Sequence, residues 1–155
     1  MSDKEFVLEA MRKQGRATAL ALQEKSSTMT GTELNAEAYY IPSFQAARAA
    51  MNMLNRKAGM TDGFVCKSSA GRVVRLIQNY DSDIFPAEPE ELPAQYGFVW
   101  SNDPAHAQPF IALATSPYMK GNCCTENDIV YYSTVDNNVH APSAWPDGWA
   151  VYTEM

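Results

Sequence analysis

Polar and apolar positions alternate with helical spacing over the first quarter of the chain. Leu8, Met11, Gly15, Thr18 and Leu22 fall three or four residues apart, flanked by alanines, and predict a helix from Asp3 to about Lys25. Ser2 or Asp3 can cap it, and Asp3, Glu5 and Glu9 favour the positive end of its dipole. The stripe is narrow and Gly15 weakens it, so such a helix either packs on its own domain or forms a short oligomerising stem. Residues 26–35, SSTMTGTELN, are polar and predict a connection. A second helix is predicted from about Ser43 to Lys57, after Pro42 and before Gly59. Its apolar positions are mostly alanine and methionine, which make a thin contact surface.

Beyond Gly63 the pattern becomes that of strands. Val73–Ile77, Tyr96–Trp100, Phe110–Ala114, Ile129–Tyr132 and Trp149–Tyr152 are compact β-branched and aromatic runs. Turns rich in Pro and Asp separate them, among them FPAEPEELP and SAWPDGW. Short strands joined by long turns predict small antiparallel modules rather than a parallel sheet. The fold class expected is therefore α+β, an N-terminal helix followed by small antiparallel β modules. The boundaries follow the pattern: a helical region over 1–59, a first β module with a connecting strand over 60–117, and a second module over 118–155.

Two stretches run in the same order and suggest a tandem duplication. Cys66 lies as far from Asn79 as Cys124 lies from Asn137. In each, a β-branched run follows the cysteine, and an Asn-containing turn, prolines and an aromatic strand come next: Tyr96–Trp100 in one, Trp149–Tyr152 in the other. Chance similarity between two short meanders is the competing explanation.

Charge divides the chain differently. Residues 1–75 carry eleven Lys and Arg against seven Asp and Glu, net +4; residues 76–155 carry one against eleven, net −10. The acidic half would repel phosphate backbones, so nucleic acid is not an expected partner there, whereas neutral sugars and other proteins are. No apolar run approaches the roughly 20 residues of a membrane span, so no membrane insertion is expected. The opening MSDKEFVLEA has none of the basic and apolar character of an export signal. Three cysteines, two of them adjacent, make no disulfide framework and suit synthesis in a reducing cytosol.

Catalytic chemistry finds little support. Cys123 or Cys124 with His106 or His140 supplies the residue types of a thiol enzyme without any of its local motifs. Neither Cys-x-x-Cys nor His-x-x-x-His spacing occurs, so no metal or other cofactor is expected. Glu88, Glu90 and Glu91 read as solvated surface charge rather than as a glycosidase pair. No catalytic residue is therefore predicted.

The last forty residues or so place Tyr118, Gly121, Tyr131 or Tyr132, Asn137, Asn138, Pro142, Pro146 and Trp149 in order. That order resembles the small chitin- and cellulose-binding modules of carbohydrate-binding families five and twelve. The chain departs from their pattern at Asn122, where an acid is usual, at Asn127, where a glycine is common, and at His140, where related phage sequences often carry tryptophan. The likeness implies a neutral glycan held by Tyr131, Tyr132, Trp145, Asn137 and Asn138, with sugar CH faces laid on aromatic rings and amides taking the hydroxyls. Trp149 is expected in the core. Trp145 reads either as a stacking platform or as loop packing, and Asp136, Asn137 and Asn138 either as sugar ligands or as turn formers.

MTGTEL at 29–34, AGRVVRLIQNYDS at 70–82, EPEELPAQYGFVWS at 88–101 and DNNVHAPSAWPDGW at 136–149 resemble uncharacterised phage and prophage proteins of gut-type bacteria. This resemblance implies a virion protein made in the cytoplasm of a bacterial host and released by lysis. The function it implies is attachment to or decoration of the particle, beside other virion proteins, with contact to host-surface glycans. The alternative is a purely structural or interaction protein without a sugar ligand. Self-association is expected in either case, as a trimer rather than a dimer.

Overall fold

Helices precede strands, and the chain is α+β. The computed structural model describes residues 17–56 and 64–153. Helix α1 occupies residues 17–25; the rest of its predicted span, residues 3–16, lies outside the described residues, as do Lys57 and Gly59. The polar stretch expected as a connection contains a turn of 3-10 helix, Ser26–Thr28, and a short helix α2, Gly31–Ala36. A capping box explains α2: Thr30 Oγ1 accepts from the Glu33 amide (3.1 Å), and Glu33 Oε1 accepts from the Thr30 amide (3.2 Å). The helix also approaches the Trp100 backbone so closely that a Cβ at residue 31 would collide with the Trp100 carbonyl, which only glycine avoids.

Helix α3, Phe44–Ala50, starts where Ser43 Oγ accepts from the Ala46 amide, but ends well before Lys57. Asn52 stops it by competing for backbone groups. Its Oδ1 accepts from the amides of Leu54 (3.0 Å) and Ser82 (3.2 Å), which holds Met53–Asn55 in a 3-10 turn instead.

Strands β1 (Val65–Lys67), β2 (Val73–Leu76) and β3 (Tyr96–Phe98) form one antiparallel sheet in that order. Strands β4 (Gln108–Pro109), β5 (Cys123–Glu126), β6 (Ile129–Ser133) and β7 (Trp149–Val151) form the other. Two expectations need correcting. The run Phe110–Ala114 is not a strand; the paired residues lie just before it, and β4 runs parallel to β5. Apolar side chains there serve packing, since Phe110, Ile111 and Leu113 cover the core from an irregular segment.

The two sheets repeat one unit. Cys66 pairs with Val74 and Val74 with Phe98; Cys124 pairs with Tyr131 and Tyr131 with Val151. Flanking hydrogen bonds repeat as well. Leu76 donates to the Phe64 carbonyl (2.7 Å) as Ser133 does to that of Asn122 (2.9 Å). Ile77 donates to Gln95 as Thr134 does to Gly148, and Val99 to Val73 as Tyr152 does to Val130. Each first strand also carries a parallel neighbour: Ser43 bridges to Lys67, and Pro109 pairs with Thr125. Even the ring contacts correspond, with Phe44 edge-on to Tyr96 at 6.1 Å and Phe110 edge-on to Trp149 at 6.0 Å. The two-residue turn Asn127–Asp128, with both φ positive, makes the second hairpin shorter. The predicted duplication is thus present as connectivity and register.

One aromatic core joins the units. Trp100 stacks on Tyr118 (centroids 4.4 Å), Tyr118 on Phe110 (5.4 Å), and Trp149 meets Tyr118 edge-on (5.3 Å). Cys66, Val74, Leu76 and Tyr96 line it from the first sheet, Cys124 and Trp149 from the second. The first sheet's other face carries a second cluster, in which Leu22, Leu34 and Ile41 cover Val65 and Val73. Here the Gln23 carboxamide replaces a strand, donating to the Val65 carbonyl (2.7 Å) and accepting from its amide (3.0 Å).

The Glu88–Glu91 turn is less free than its composition suggests. Glu90 Oε2 accepts from Arg72 Nη1 (2.9 Å) and from Ser68 Oγ (2.7 Å), and Arg72 Nη2 donates to the Pro109 carbonyl (2.8 Å). Glu88 accepts from the Ser69 amide and from Gln45. Only Glu91 is exposed. Because the Arg72–Glu90 pair is largely buried, Glu90→Ala should cost about 2 kcal/mol by leaving Arg72 with an unmatched donor. Urea unfolding checks this, and Glu91→Ala should change stability little.

Candidate binding site

Strand alternation separates the adjacent tyrosines of β6. Tyr131, cross-strand from Cys124, packs against the aromatic core; Tyr132 points to the opposite face and is 40% exposed. The two therefore do not form one platform.

The loop from 134 to 148 holds the remaining predicted residues. Asn137 lies in a left-handed turn (φ 56°) with an exposed side chain. Asn138 is 1% exposed, and its side chain is fully engaged. Nδ2 donates to Ser133 Oγ (3.1 Å) and the Gly148 carbonyl (3.0 Å), and Oδ1 accepts from the His140 amide (3.1 Å). Its backbone exchanges two hydrogen bonds with Tyr118. Asn138 thus fastens the loop to the core and presents no amide to a ligand. Asp136 likewise closes the loop, accepting from the Lys120 amide (3.0 Å).

Trp149 is buried, and its indole Nε1 donates to the His140 carbonyl (2.7 Å). Trp145 is 38% exposed, with its ring laid over Gly148 and edge-on to the His140 imidazole at 5.5 Å. Of the five residues predicted to hold a glycan, Trp145, Tyr132 and Asn137 are exposed, Tyr131 is half-buried and Asn138 is buried. Trp145 finds its aromatic neighbour in His140, while Tyr132 belongs to the outer face of the sheet.

That outer face holds a surface the sequence reading missed. Tyr152 donates its amide to Val130, which places it diagonal to Tyr132 on the same face, and it is 41% exposed. An open cleft of about 710 Å³ adjoins it, lined by Asp103, Pro104, Ala105, Asp128, Ile129, Val130 and Tyr152. Asp103 caps the Pro104–His106 turn and Asp128 sits in the β5–β6 hairpin, so two acidic residues line the cleft beside Pro104, Ala105, Ile129 and Val130. Alternation along Trp149–Tyr152, with Trp149 expected in the core, carried the signal that Tyr152 faces outward.

The thiols are sequestered. Burial pushes the Cys66 and Cys124 thiols up to about 12, with Glu88 and Glu90 adding to the effect at Cys66 against the opposing pull of Arg56, and Glu126 adding to it at Cys124. Cys123 is raised by burial and then by the Asp103 charge, and its Sγ donates to the Gly121 carbonyl (3.7 Å). A neutral, buried thiol is a poor nucleophile. Among the described residues, no cluster of three His, Cys, Asp or Glu could hold a metal ion, and no helix is long and apolar enough to cross a membrane.

No family model matches the chain, and neither a curated protein nor a solved structure matches it.

Proposed function

We propose that this chain is a non-catalytic structural and interaction component of a phage-type particle, binding other proteins through its second β unit. The observation that carries this reading is the outer face of the second sheet. Tyr132, Tyr152 and the cleft between Asp103 and Asp128 stand open at positions that the helical region covers in the first unit. Exposed tyrosines of this kind are enriched in protein-binding patches. The phage setting rests on the likeness carried by residues 29–34, 70–82, 88–101 and 136–149. Buried neutral thiols and glutamates tied into hydrogen bonds favour a role without catalysis.

Glycan contact is the second reading, and exposed Trp145 favours it. A sugar ring laid on one indole beside His140 would bind weakly, about millimolar to micromolar, and adhesion would need many copies on one particle. Density-gradient banding of the lysate containing the protein tests the main reading. The chain should band with particles, a folded Tyr152→Asp variant should remain in the soluble fractions, and Trp145→Ala should band as the parent does. Parent chain found wholly apart from particles would overturn the proposal.

A further inference from the structure

The second sheet leaves the outer edge of β7 unpaired. Tyr152 donates its amide to the Val130 carbonyl (2.8 Å), Thr134 donates to that of Gly148 (3.0 Å), and Ala150 lies opposite Tyr132. Every second residue of an antiparallel strand bonds to its neighbour, so Gly148, Ala150 and Tyr152 turn their backbone to β6 while Trp149 and Val151 turn theirs away. The Trp149 amide is taken by the Pro146 carbonyl. The Trp149 carbonyl and both backbone groups of Val151 have no hydrogen-bond partner among the described residues, and Val151 is 52% exposed.

Elsewhere the same kind of edge is closed. Val151 corresponds in the repeat to Phe98, whose amide donates to Ser116 Oγ (2.9 Å), and Trp149 to Tyr96, whose amide reaches the Leu92 carbonyl (3.1 Å). On β1 the Gln23 carboxamide takes both backbone groups of Val65, and Lys67 donates to the Pro42 carbonyl (2.9 Å). On β4, Pro109 has no amide to offer, and its carbonyl accepts from Arg72. An open strand edge is a template for a further strand, and proteins ordinarily blunt it. This chain blunts the edges of β1, β3 and β4 and leaves that of β7. Backbone groups at strand spacing select an extended peptide as the occupant.

Charge selects which peptide. Residues 76–153 carry ten Asp and Glu against Lys120 alone. Asp147 is exposed two residues before β7, and Asp103 and Asp128 line the cleft beside Tyr152, just beyond the other end of the strand. The β7 edge of a second copy would bring the same acids against these and be repelled, whereas Lys and Arg on an incoming segment would be attracted. We propose that β7 takes up an extended, basic segment of another protein as an added strand. This rests on the interaction reading above and names the chemistry of the partner. Val151 donates to and accepts from the segment, whose basic side chains meet Asp147 at one end and Asp103 and Asp128 at the other.

Fluorescence anisotropy and amide hydrogen exchange of the full chain, with a short labelled peptide alternating lysine and valine, test this. The peptide should bind saturably, bind more weakly as salt is raised, and slow exchange at the Val151 amide. A peptide with glutamate in place of lysine should not bind, nor should one whose backbone amides are N-methylated. Val151→Pro deletes only an outward-facing N–H, which an edge strand tolerates, so it should keep the parent circular dichroism and bind at least about tenfold more weakly. Val151→Thr keeps the N–H and should bind as the parent does. If Val151→Pro does not fold, the N-methylated peptide decides the point alone. The proposal is overturned by a parent that binds no basic peptide, by equal binding of the N-methylated or glutamate peptide, or by a folded Val151→Pro that binds as the parent does. Protection of the Val151 amide on raising protein concentration without peptide would overturn it too, by making a second copy the occupant. A parent that bands with particles yet binds no peptide would reject the added strand and leave the interaction reading in place.

Discussion

Replacing Tyr118 with alanine should destabilise both β units together, by about 3–5 kcal/mol, the usual cost of deleting a buried aromatic ring. Its ring lies between Trp100 and Phe110 and meets Trp149, so one substitution opens a cavity where the two units join. The side-chain hydroxyl also accepts from the Ile111 amide (3.3 Å), which holds the irregular segment onto the core. Small domains have roughly 5–15 kcal/mol in total, so this loss takes a large share of what holds the chain folded. Denaturant unfolding followed by circular dichroism should show one transition moved to much lower denaturant. Trp149→Ala should behave similarly, through its ring and its bond to His140. Trp145→Ala, by contrast, should cost under about 1 kcal/mol, because that ring is partly in solvent. Separate transitions for the two units in the parent protein would contradict the shared core.

Alkaline pH should unfold the protein steeply. Cys66 and Cys124 are fully buried, and burial holds both thiols neutral up to about 12, against an ordinary value of 9.0. Between those values the unfolded chain has lost protons that the folded chain keeps, so stability falls as pH rises. The contribution is fully present below about pH 9 and is lost progressively toward 12. Each thiol contributes a slope of roughly 1.4 kcal/mol per pH unit, so two give nearly 3. Burial raises the Tyr96 and Tyr118 hydroxyls as well, adding to the loss above their ordinary value of 10.0. Thermal midpoints measured at successive pH values should therefore hold steady to about 9 and then drop. In Cys66→Ala the drop should be shallower than in the parent, although the variant starts less stable. A midpoint unchanged to pH 11 would show that the thiols are not sequestered.

Much of the fold was legible because its signals are local. β-branched and aromatic runs marked β2, β3, β6 and β7, and equal spacing after Cys66 and Cys124 pointed to a repeat whose register the structure bears out. The capping box at Thr30 and Glu33 was equally local, yet it sat in a stretch too polar to look helical. Other features depend on partners distant in sequence. The apolar run after Phe110 looked like a strand, but hydrophobicity alone does not distinguish a pleated segment from a loop that covers a core. Gln23 standing in for a strand depends on a neighbour forty-two residues away.

The candidate site was legible in part for the same reason. Adjacent tyrosines must face opposite sides, but only the assembled core determines that Tyr131 turns inward and Tyr132 outward. Asn138 carries the residue type of a sugar ligand and the turn position of a loop former. Its burial against Ser133 and Gly148 decides in favour of the loop. Tyr152, Asp103 and Asp128 come from three separate segments, and no local pattern links them.

Whether the exposed aromatics serve proteins or sugars is open to direct measurement. The chain, displayed in many copies on a bead or scaffold, should be passed over an array of neutral glycans that includes chitin and cellulose oligosaccharides, alongside a folded Trp145→Ala control. The account predicts no saturable glycan binding that depends on Trp145. Binding to a defined glycan that disappears in Trp145→Ala while the fold is kept would contradict it and establish the loop, rather than the outer sheet face, as the functional surface.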